Sequence, residues 1–396
     1  MMRKRILSVF GTRPEAIKMA PLVLELNRRP GIENAVCVTG QHRDLLDPVL
    51  DLFGIDPRYD LDVMKPDQDV AGLTADILLA VGDVLRDNRP DLVLVQGDTT
   101  TCFAAALAGF YASVPVGHVE AGLRTGDLAA PFPEEANRRL VSRVATYHFA
   151  PTEQARDVLL SEGVSPDTVW VTGNTVVDAV LFARDKTRHL PVAGLRAALG
   201  SGVYERLSSA TRQTILITWH RRENLGRRLA DLCAAVRCLA RQHPDWYFVF
   251  PVHPNPSVRK TVYAELSGLN NVELIEPLSY LPFVWLMSAV DLIITDSGGI
   301  QEEAPSLGTP VIVTRDVTER QEAVAAGAVT LVGTDPAALT ESAQFHMANP
   351  RTIRRRLTVE NPYGDGKAAQ HIAGILCSLM NDDTEQRPLR ALDQTG

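Results

Sequence analysis

Three carboxylates in the first half of the chain stand at positions that suit acid and base chemistry. Asp98 lies in QGDTTT, Glu120 in GHVEAGLRTGD and Glu134 in FPEEANRR. Asp98 and Glu120 each follow an apolar run typical of a strand, so both are expected at the carboxyl edge of one parallel sheet. Carboxylates that converge there raise one another's pKa and supply an acid and a base near neutral pH. For each residue alone, an N-cap or a surface ion pair with a neighbouring arginine remains an alternative.

Two other segments have the composition of anion sites. Arg13, in FGTRPE, lies between a predicted strand and a helix, where a guanidinium and helix amides together hold phosphate. The alternative is that Arg13 covers the helix end or pairs with Glu15. The segment DSGG, Asp296 to Gly299, also precedes a predicted helix, and its glycines let the backbone approach a diphosphate closely. A simple helix cap is the alternative there.

Acidic and imidazole side chains accompany the second segment. Glu302 and Glu303 occupy the next helical turn, where one of them could reach the hydroxyls of a ribose, unless both form a solvated acidic turn. His220, in ITWHRREN, follows another predicted strand and could move protons or stabilise a departing phosphate. The sequence lacks G-x-G-x-x-G, G-x-x-x-x-G-K-[ST] and H-E-x-x-H, so we predict no nicotinamide cofactor, no P-loop and no metal.

The elements that must position these residues alternate between short apolar runs and longer segments of helical period. This is the pattern of βαβ units that build a parallel sheet. The predicted strands of the first half are 6–10, 35–39, 92–96, 114–119, 147–150 and 169–172. Those of the second half are 214–219, 247–252, 272–275, 292–295, 311–314 and 329–332.

The two halves also resemble each other. LVLVQGDTTTCFAAALAG and DLIITDSGGIQEEAPSLG each read as strand, aspartate, hydroxyl residue and helix. The sequence therefore predicts an α/β protein with two Rossmann-like domains that face a central cleft, residues 1–178 and residues 179–365. The stretch ARDKTRHLPVAGLRAALGSG, just after Asp178, is predicted as the connection. The residues from Asp383 lack periodicity and are predicted to be disordered.

Composition narrows the partners and the compartment. The chain has 396 residues, of which 45% are hydrophobic and 22% charged, and its net charge of −8 argues against a nucleic acid partner. Five cysteines without a C-x-x-C pair fit free thiols in a reducing compartment. The apolar run near the N-terminus is too short for a signal peptide, and no run is long enough to span a membrane. A cytoplasmic protein is expected.

Taken together, the motifs closely resemble the non-hydrolysing UDP-N-acetylglucosamine 2-epimerases. The matching stretches run in order from residue 10 to about residue 366, and they include FGTRPEAIKMAPL, GQHRDLLD, TGNTVVDA, HRREN, PVHPNP, TDSGGIQEEAPSLGTPV and NPYGDG. The resemblance implies a fold like that of the GT-B glycosyltransferases, with a C-terminal helix, 366–382, that returns to the first domain. It implies reversible conversion of UDP-GlcNAc to UDP-ManNAc without a cofactor, through elimination of UDP to bound 2-acetamidoglucal and re-addition. A homodimer is expected.

The resemblance also assigns roles to individual residues. The catalytic residues would be Asp98, Glu120, Glu134 and His220. Substrate contacts would come from Arg13, Lys18, Arg138, Phe283, Ser297, Gly298, Gly299 and Glu303, with Phe283 on the uracil. A neighbouring activator site for a second UDP-GlcNAc would use Gln41, His42, Gln68 and His253. Trp219 departs from the family pattern, which more often has a small residue there. A hydrolysing epimerase, a UDP-sugar-dependent glycosyltransferase and a nucleotide-sugar binding module remain alternatives.

Overall fold

Two parallel β-sheets with helices between their strands form the frame of this α/β protein. The computed structural model describes residues 3–40, 43–65, 67–209, 213–221, 224–318, 320–349 and 361–382. The chain divides into two compact units. Unit 1 runs to Ala179 and resumes at Tyr363, and unit 2 is Val180–Pro362.

Unit 1 contains a seven-stranded sheet in the order β3-β2-β1-β4-β5-β6-β7, and every pairing is parallel. Its strands are β1 (Lys4–Phe10), β2 (Ile32–Val38), β3 (Tyr59–Asp60), β4 (Leu92–Gln96), β5 (Val116–Val119), β6 (Tyr147–Ala150) and β7 (Val169–Val171). Its helices are α1 (Arg13–Asn27), α2 (Arg43–Phe53), α3 (Val70–Asn88), α4 (Thr100–Tyr111), α5 (Glu134–Val144), α6 (Glu153–Ser161) and α16 (Ala368–Asp382). Helix α7 (Thr175–Thr187) begins in unit 1 and ends in unit 2.

Unit 2 contains a six-stranded parallel sheet in the order β10-β9-β8-β11-β12-β13. Its strands are β8 (Thr214–Thr218), β9 (Tyr247–Pro251), β10 (Val272–Ile275), β11 (Leu292–Thr295), β12 (Val311–Val313) and β13 (Val329–Leu331). Its remaining helices are α8 (Val192–Leu199), α9 (Ser201–Ser208), α10 (Arg227–Gln242), α11 (Pro256–Leu266), α12 (Tyr280–Ala289), α13 (Gly298–Ser306), α14 (Gln321–Ala325) and α15 (Pro336–Ala348).

The central strands are buried along their whole length because helices cover both faces of each sheet. All five residues of β4 and of β8 are buried. The core of unit 1 packs α3 and α4 against β1, β2 and β4, whereas that of unit 2 packs α10, α11 and α15 against its own sheet. Only the ends of the strands are therefore open to polar chemistry.

Every strand predicted from the sequence has a counterpart at its position, and the α/β class is confirmed. The two-residue strand β3 was not predicted, since it is too short to show a pattern. The predicted connection after Asp178 contains helices: α7 continues to Thr187, and α8 and α9 follow. The boundary between the two units falls at its start, after Ala179. Leu195 and Leu199 bury one face of α8, which explains why a polar stretch folds as helix.

Unit 1 closes on itself where the chain leaves it and returns. The Asn174 amide donates to the carbonyl of Tyr363 at 2.9 Å. Asp178, on α7, accepts from the amides of Ala368 and Ala369 at 3.2 and 3.0 Å and so caps the first turn of α16. Helix α16 then packs on α1.

Within the described part of the chain, no helix combines the length and apolar character that a membrane span needs. The predicted disordered tail, from Asp383, lies outside the described residues, as do Gln41 and His42 of the expected activator set.

Candidate active-site residues in the two units

Asp98 lies just beyond the carboxyl end of β4 and binds Arg138 of α5. Arg138 Nε donates to Asp98 Oδ2 at 2.8 Å, and Nη2 lies 2.7 Å from the same oxygen. The Asn137 amide nitrogen donates to the Asp98 carbonyl at 2.9 Å. The cap of α4 is Thr99, whose hydroxyl accepts from the Cys102 amide. The N-cap alternative for Asp98 is therefore wrong, and its carboxylate, 25% exposed, faces a buried guanidinium.

Glu120 follows β5 and forms an ion pair with Lys18 of α1. The two side chains are 7% and 10% exposed, so the pair is nearly dry. The backbone of Glu120 has φ +65, a left-handed conformation that costs a non-glycine residue roughly 1–3 kcal/mol and that clusters at functional sites. The strand end thus fixes both the position of the carboxylate and its cationic partner.

Glu134 and Glu135 begin α5 but have different surroundings. Glu135 is fully buried and accepts from the Thr125 amide, from Arg138 and from Arg139. Burial raises the pKa of Glu135, but these donors outweigh it and hold the pKa below its usual value. Glu134 has a buried oxygen, Oε2, with no hydrogen-bond partner among the described residues. The alternative of pairing with arginines therefore holds for Glu135, whereas Oε2 of Glu134 has no such partner among the described residues.

Arg13 stands in the first turn of α1, where Glu15 and Thr12 form a capping box. Glu15 Oε2 accepts from the amides of Gly11 and Thr12 at 2.9 and 2.8 Å, and Oε1 accepts from the Thr99 hydroxyl at 2.5 Å. Burial raises the pKa of Glu15. Among the described residues Arg13 has no ion pair, and the alternative in which it pairs with Glu15 is wrong. Glu15, which the sequence analysis did not select, joins the loop that carries Arg13 to the loop that carries Asp98.

His118 is a second residue that the sequence analysis missed. It is fully buried on β5, and its Nε2 lies 2.8 Å from the Gly97 carbonyl, directly before Asp98. Burial lowers the pKa of His118 to about 3, so the ring is neutral and Nε2 donates. His118 thereby holds the loop that follows β4 and carries Asp98 in place. A histidine inside an apolar strand gives no sequence signal for that role.

Two of the three candidate carboxylates of unit 1 each have a cationic partner. Asp98 faces Arg138, and Glu120 faces Lys18. The edge of this sheet presents alternating charges, which suits a ligand with both anionic and hydroxyl groups.

In unit 2, His220 follows β8 and lies against Asp296, which follows the neighbouring strand β11. His220 Nδ1 is 3.1 Å from Asp296 Oδ1. The His220 side chain is 37% exposed, whereas that of Asp296 is fully buried. The His220 ring stacks on the His253 ring, with the ring centroids 5.9 Å apart.

The loop Ser297–Gly299 leads from β11 into α13. The Ser297 side chain makes no cap hydrogen bond, so the first amides of the helix stay available to an anion. A Cβ atom on Gly298 would lie 3.0 Å from Arg320 Nη1, whereas one on Gly299 would meet no atom within 4 Å. Arg320, which the sequence analysis missed, therefore packs directly against the loop. It forms a buried ion pair with Glu302, with Nε 2.8 Å from Oε1.

Helices α12 and α13 are joined at Glu303. Its carboxylate accepts from the Tyr280 hydroxyl at 3.1 Å, and both residues are buried. Phe283 lies one turn further along α12 and is half-buried. The alternative of a solvated acidic turn is wrong for Glu302 and Glu303, because each has a specific partner. Glu303 and Phe283 are thus positioned from the same pair of helices.

The described members of the expected activator set lie in different units. Gln68 belongs to unit 1, where its Nε2 donates to Asp76 at 2.8 Å and its Oε1 accepts from the Lys65 amide. His253 belongs to unit 2, and its Nδ1 accepts from the Asn255 amide at 3.2 Å. Burial and the nearby His220 lower the pKa of His253. Within the described ranges, no group of three or more histidine, cysteine or acidic side chains could hold a metal ion.

Doubly wound parallel sheets with polar groups and a glycine loop at the strand ends define the class of nucleotide-binding α/β proteins. The chain matches the model of the UDP-N-acetylglucosamine 2-epimerase family over residues 24–377. It is 51% identical over 372 residues to the UDP-N-acetylglucosamine 2-epimerase of Escherichia coli K12, which covers 94% of this chain and 98% of that protein. The chain belongs to the UDP-N-acetylglucosamine 2-epimerase family.

Solved structures agree with that assignment. The UDP-GlcNAc 2-epimerase of Neisseria meningitidis, bound to UDP-GlcNAc, superposes with a TM-score of 0.84 at 49% identity, covering 94% of this chain and all of that one. The glycosyltransferase of kitacinnamycin shares the fold alone, with a TM-score of 0.62 at 13% identity over 96% of this chain and 99% of that one. The expected likeness to the GT-B glycosyltransferases is therefore confirmed for the fold.

Proposed function

We propose that this protein is an enzyme that interconverts UDP-GlcNAc and UDP-ManNAc by inverting C2 of the sugar. The observation that carries the proposal lies on α5, whose first residue, Glu134, has a buried oxygen without a hydrogen-bond partner among the described residues. Arg138 of the same helix binds Asp98, which follows β4. A buried acceptor without a partner costs roughly 1–3 kcal/mol unless a ligand supplies one. Membership of the epimerase family supports the same reaction.

Inversion at C2 requires exchange of the C2 proton, which is not acidic enough for direct removal. C2 of the sugar is not adjacent to a carbonyl, so direct deprotonation is too costly. Loss of the C2 proton together with UDP from C1 gives 2-acetamidoglucal, and re-addition of UDP with protonation from the other face inverts the centre. The sequence of steps is redox-neutral and calls for acids, bases and anion-binding groups but for no cofactor.

Unit 1 supplies the proton transfers in this proposal. Asp98, Glu120 and Glu134 are the acid and base groups at the sugar, and Arg138 and Lys18 hold two of them in place. Positioned general acids and bases contribute roughly 10²–10⁴-fold each. Arg13, whose guanidinium has no ion pair among the described residues, adds a cation for the departing nucleotide.

Unit 2 supplies the nucleotide contacts. The amides after Ser297 and the dipole of α13 receive the diphosphate, with Gly298 and Gly299 allowing close approach. Glu303 accepts from the ribose hydroxyls. Phe283 packs on the uracil ring, and His220 lies at the diphosphate.

The experiment that tests the proposal is incubation of the purified protein with UDP-GlcNAc alone in D2O, followed by NMR of the products. We expect UDP-ManNAc to form and deuterium to enter C2 of both sugars without added nicotinamide or metal. Retention of the original hydrogen at C2 would contradict elimination. Release of free ManNAc and UDP would indicate a hydrolysing epimerase, and no turnover without an acceptor would favour a glycosyltransferase or a binding module.

We further propose a homodimer in the cytoplasm. Helices α3 and α4 of unit 1 border a groove of about 990 Å³, and Leu79 and Tyr111 at this face are 69% and 68% exposed. Apolar exposure of that kind is typical of a protein interface. Light scattering should give twice the chain mass for the wild type and the chain mass for Leu79→Glu combined with Tyr111→Glu.

The five free thiols suit a reducing compartment, which supports the proposed location in the cytoplasm.

A further inference from the structure

Asp296 is placed beside His220 by the register of two neighbouring strands. Strands β8 and β11 are parallel, with Thr218 opposite Thr295, so the residues that follow them emerge side by side. Asp296 is fully buried there, although it precedes the diphosphate loop and carries a charge. A buried carboxylate is stable only when its oxygens are well provided with donors.

The donors come almost entirely from the segment that contains His220. Asp296 Oδ2 accepts from the His220 amide at 3.1 Å, from the Arg221 amide at 3.0 Å and from Asn224 Nδ2 at 3.1 Å. The other oxygen, Asp296 Oδ1, lies 3.1 Å from the His220 ring nitrogen Nδ1. Burial raises the pKa of Asp296, but these hydrogen bonds and His220 outweigh it and hold the pKa below its usual value. The carboxylate therefore stays ionised.

An ionised carboxylate can only accept hydrogen bonds, so His220 Nδ1 must carry a hydrogen. The other ring nitrogen, Nε2, has no hydrogen-bond partner among the described residues, and the ring is 37% exposed. Among the described residues, the charged or titratable side chains that contact the His220 ring are Asp296 and the stacked ring of His253. The geometry leaves Nε2 as the nitrogen that meets a ligand.

We infer that Asp296 is a positioning residue for the epimerase reaction: it fixes the orientation and tautomer of His220 and directs Nε2 to the departing diphosphate. This inference rests on the proposed function. When the C1–O bond breaks, its electron pair passes to the β-phosphate oxygen of UDP. The imidazolium of His220 donates its Nε2 hydrogen to that oxygen and recovers it when UDP adds back. Asp296 keeps its charge throughout and balances the imidazolium.

The tautomer can be measured without any turnover. In protein with ¹⁵N-labelled histidine, at a pH where the ring is neutral, two-bond couplings should show His220 protonated at Nδ1, with His220→Gln identifying the signals. In Asp296→Asn the amide nitrogen becomes a donor, and we expect the hydrogen to move to Nε2. Turnover should then fall by roughly 10²-fold or more, with a much smaller change in the Kd for UDP.

A matched control separates positioning from general damage to the loop. Asn224→Ala removes another donor from the same carboxylate but leaves its contact with His220, so the Nδ1 tautomer should persist. A wild-type ring protonated at Nε2, or an unchanged tautomer in Asp296→Asn, would overturn the inference even if the enzyme is active. The wild-type spectrum decides the matter if Asp296→Asn fails to fold. Absence of epimerisation with an Nδ1 tautomer would refute the proposed function instead.

Discussion

At the scale of single residues, conversion of the three proposed acid and base groups to amides should lower turnover in every case but should affect stability differently. Asp98→Asn, Glu120→Gln and Glu134→Gln should each lower kcat by roughly 10²-fold or more, because each removes a titratable carboxylate of the proposed reaction. Glu134→Gln should leave the melting temperature nearly unchanged, since its buried oxygen has no protein partner among the described residues. Glu120→Gln should lower the melting temperature, because it removes one carboxylate charge from a nearly buried ion pair with Lys18.

Steady-state kinetics and thermal unfolding of each variant check this prediction. Glu153→Gln is the control, since its carboxylate lies on the surface and, among the described residues, forms an ion pair only with Arg156. Wild-type turnover in one of the three carboxylate variants would return that residue to a structural role.

The sequence identified residues that stand at strand ends but not the partners that hold them. Asp98 and Glu120 could be predicted because a carboxylate after an apolar run is a local signal. Their partners Arg138 and Lys18 were named by family likeness, and the contacts themselves join positions 40 and 102 residues apart. The capping box of Thr12 and Glu15 has a local sequence signal, T-x-x-E, but the bond from Thr99 to Glu15 joins positions 84 residues apart and has none. Arg320 escaped notice because its contacts with Gly298 and Glu302 exist only in the folded chain.

At the scale of elements, α13 depends on the contact between its first turn and Arg320. In Gly298→Ala the new methyl group would press on the guanidinium, which is held by Glu302. We expect a loss of roughly 1–3 kcal/mol of unfolding free energy, as in other overpacked sites, and weaker binding of UDP. Urea unfolding and calorimetric titration with UDP measure the two effects.

Gly299→Ala is the matched control, because its methyl group would meet no protein atom within 4 Å. Its unfolding free energy should not fall. Equal stability and equal UDP affinity in Gly298→Ala and the wild type would show that Arg320 does not brace the loop.

Elements were predicted well where periodicity is strong and poorly where tertiary packing decides. The buried strands β4 and β8 coincide closely with their predicted ranges. The stretch after Asp178 is polar and contains Gly, and so it is predicted from the sequence only as a connection between the domains. It folds as α8 and α9 because Leu195, Leu199 and Val203 find apolar partners that no local pattern reveals.

At the scale of the whole molecule, family likeness predicts activation by the substrate. A second UDP-GlcNAc that prefers one conformation of the enzyme would make the rate sigmoidal in UDP-GlcNAc, with a coupling of about 1–3 kcal/mol. Turnover of UDP-ManNAc alone should be slow and should recover when a trace of UDP-GlcNAc is added. Gln68→Ala should make the forward curve more hyperbolic.

Initial rates over a wide range of UDP-GlcNAc concentration check the activation. Hyperbolic kinetics together with unassisted turnover of UDP-ManNAc would contradict it. Trp219 would then be the first residue to test, although its indole is buried and donates to Thr314 rather than facing a ligand.

The cap that Asp178 places on α16 makes the return of the chain sensitive to acidity. Burial raises the pKa of Asp178 to about 6 from the ordinary 3.8, and nearby Asp365 adds to the shift. The folded state therefore binds the Asp178 proton more tightly than the unfolded chain does. The stabilisation of the folded state by this proton is complete below about pH 4 and is lost as the pH rises through 6. The cost above that range is about 3 kcal/mol.

Asp178→Asn cannot ionise, so its unfolding free energy relative to the wild type should rise by about this amount between pH 4 and pH 7.5 in urea titrations. A difference that does not change with pH would contradict the assignment. The contribution of Asp178 to the free energy of unfolding is therefore larger in mild acid than in neutral solution. Protonation of one carboxyl group thus changes how stably the returning chain is held in unit 1.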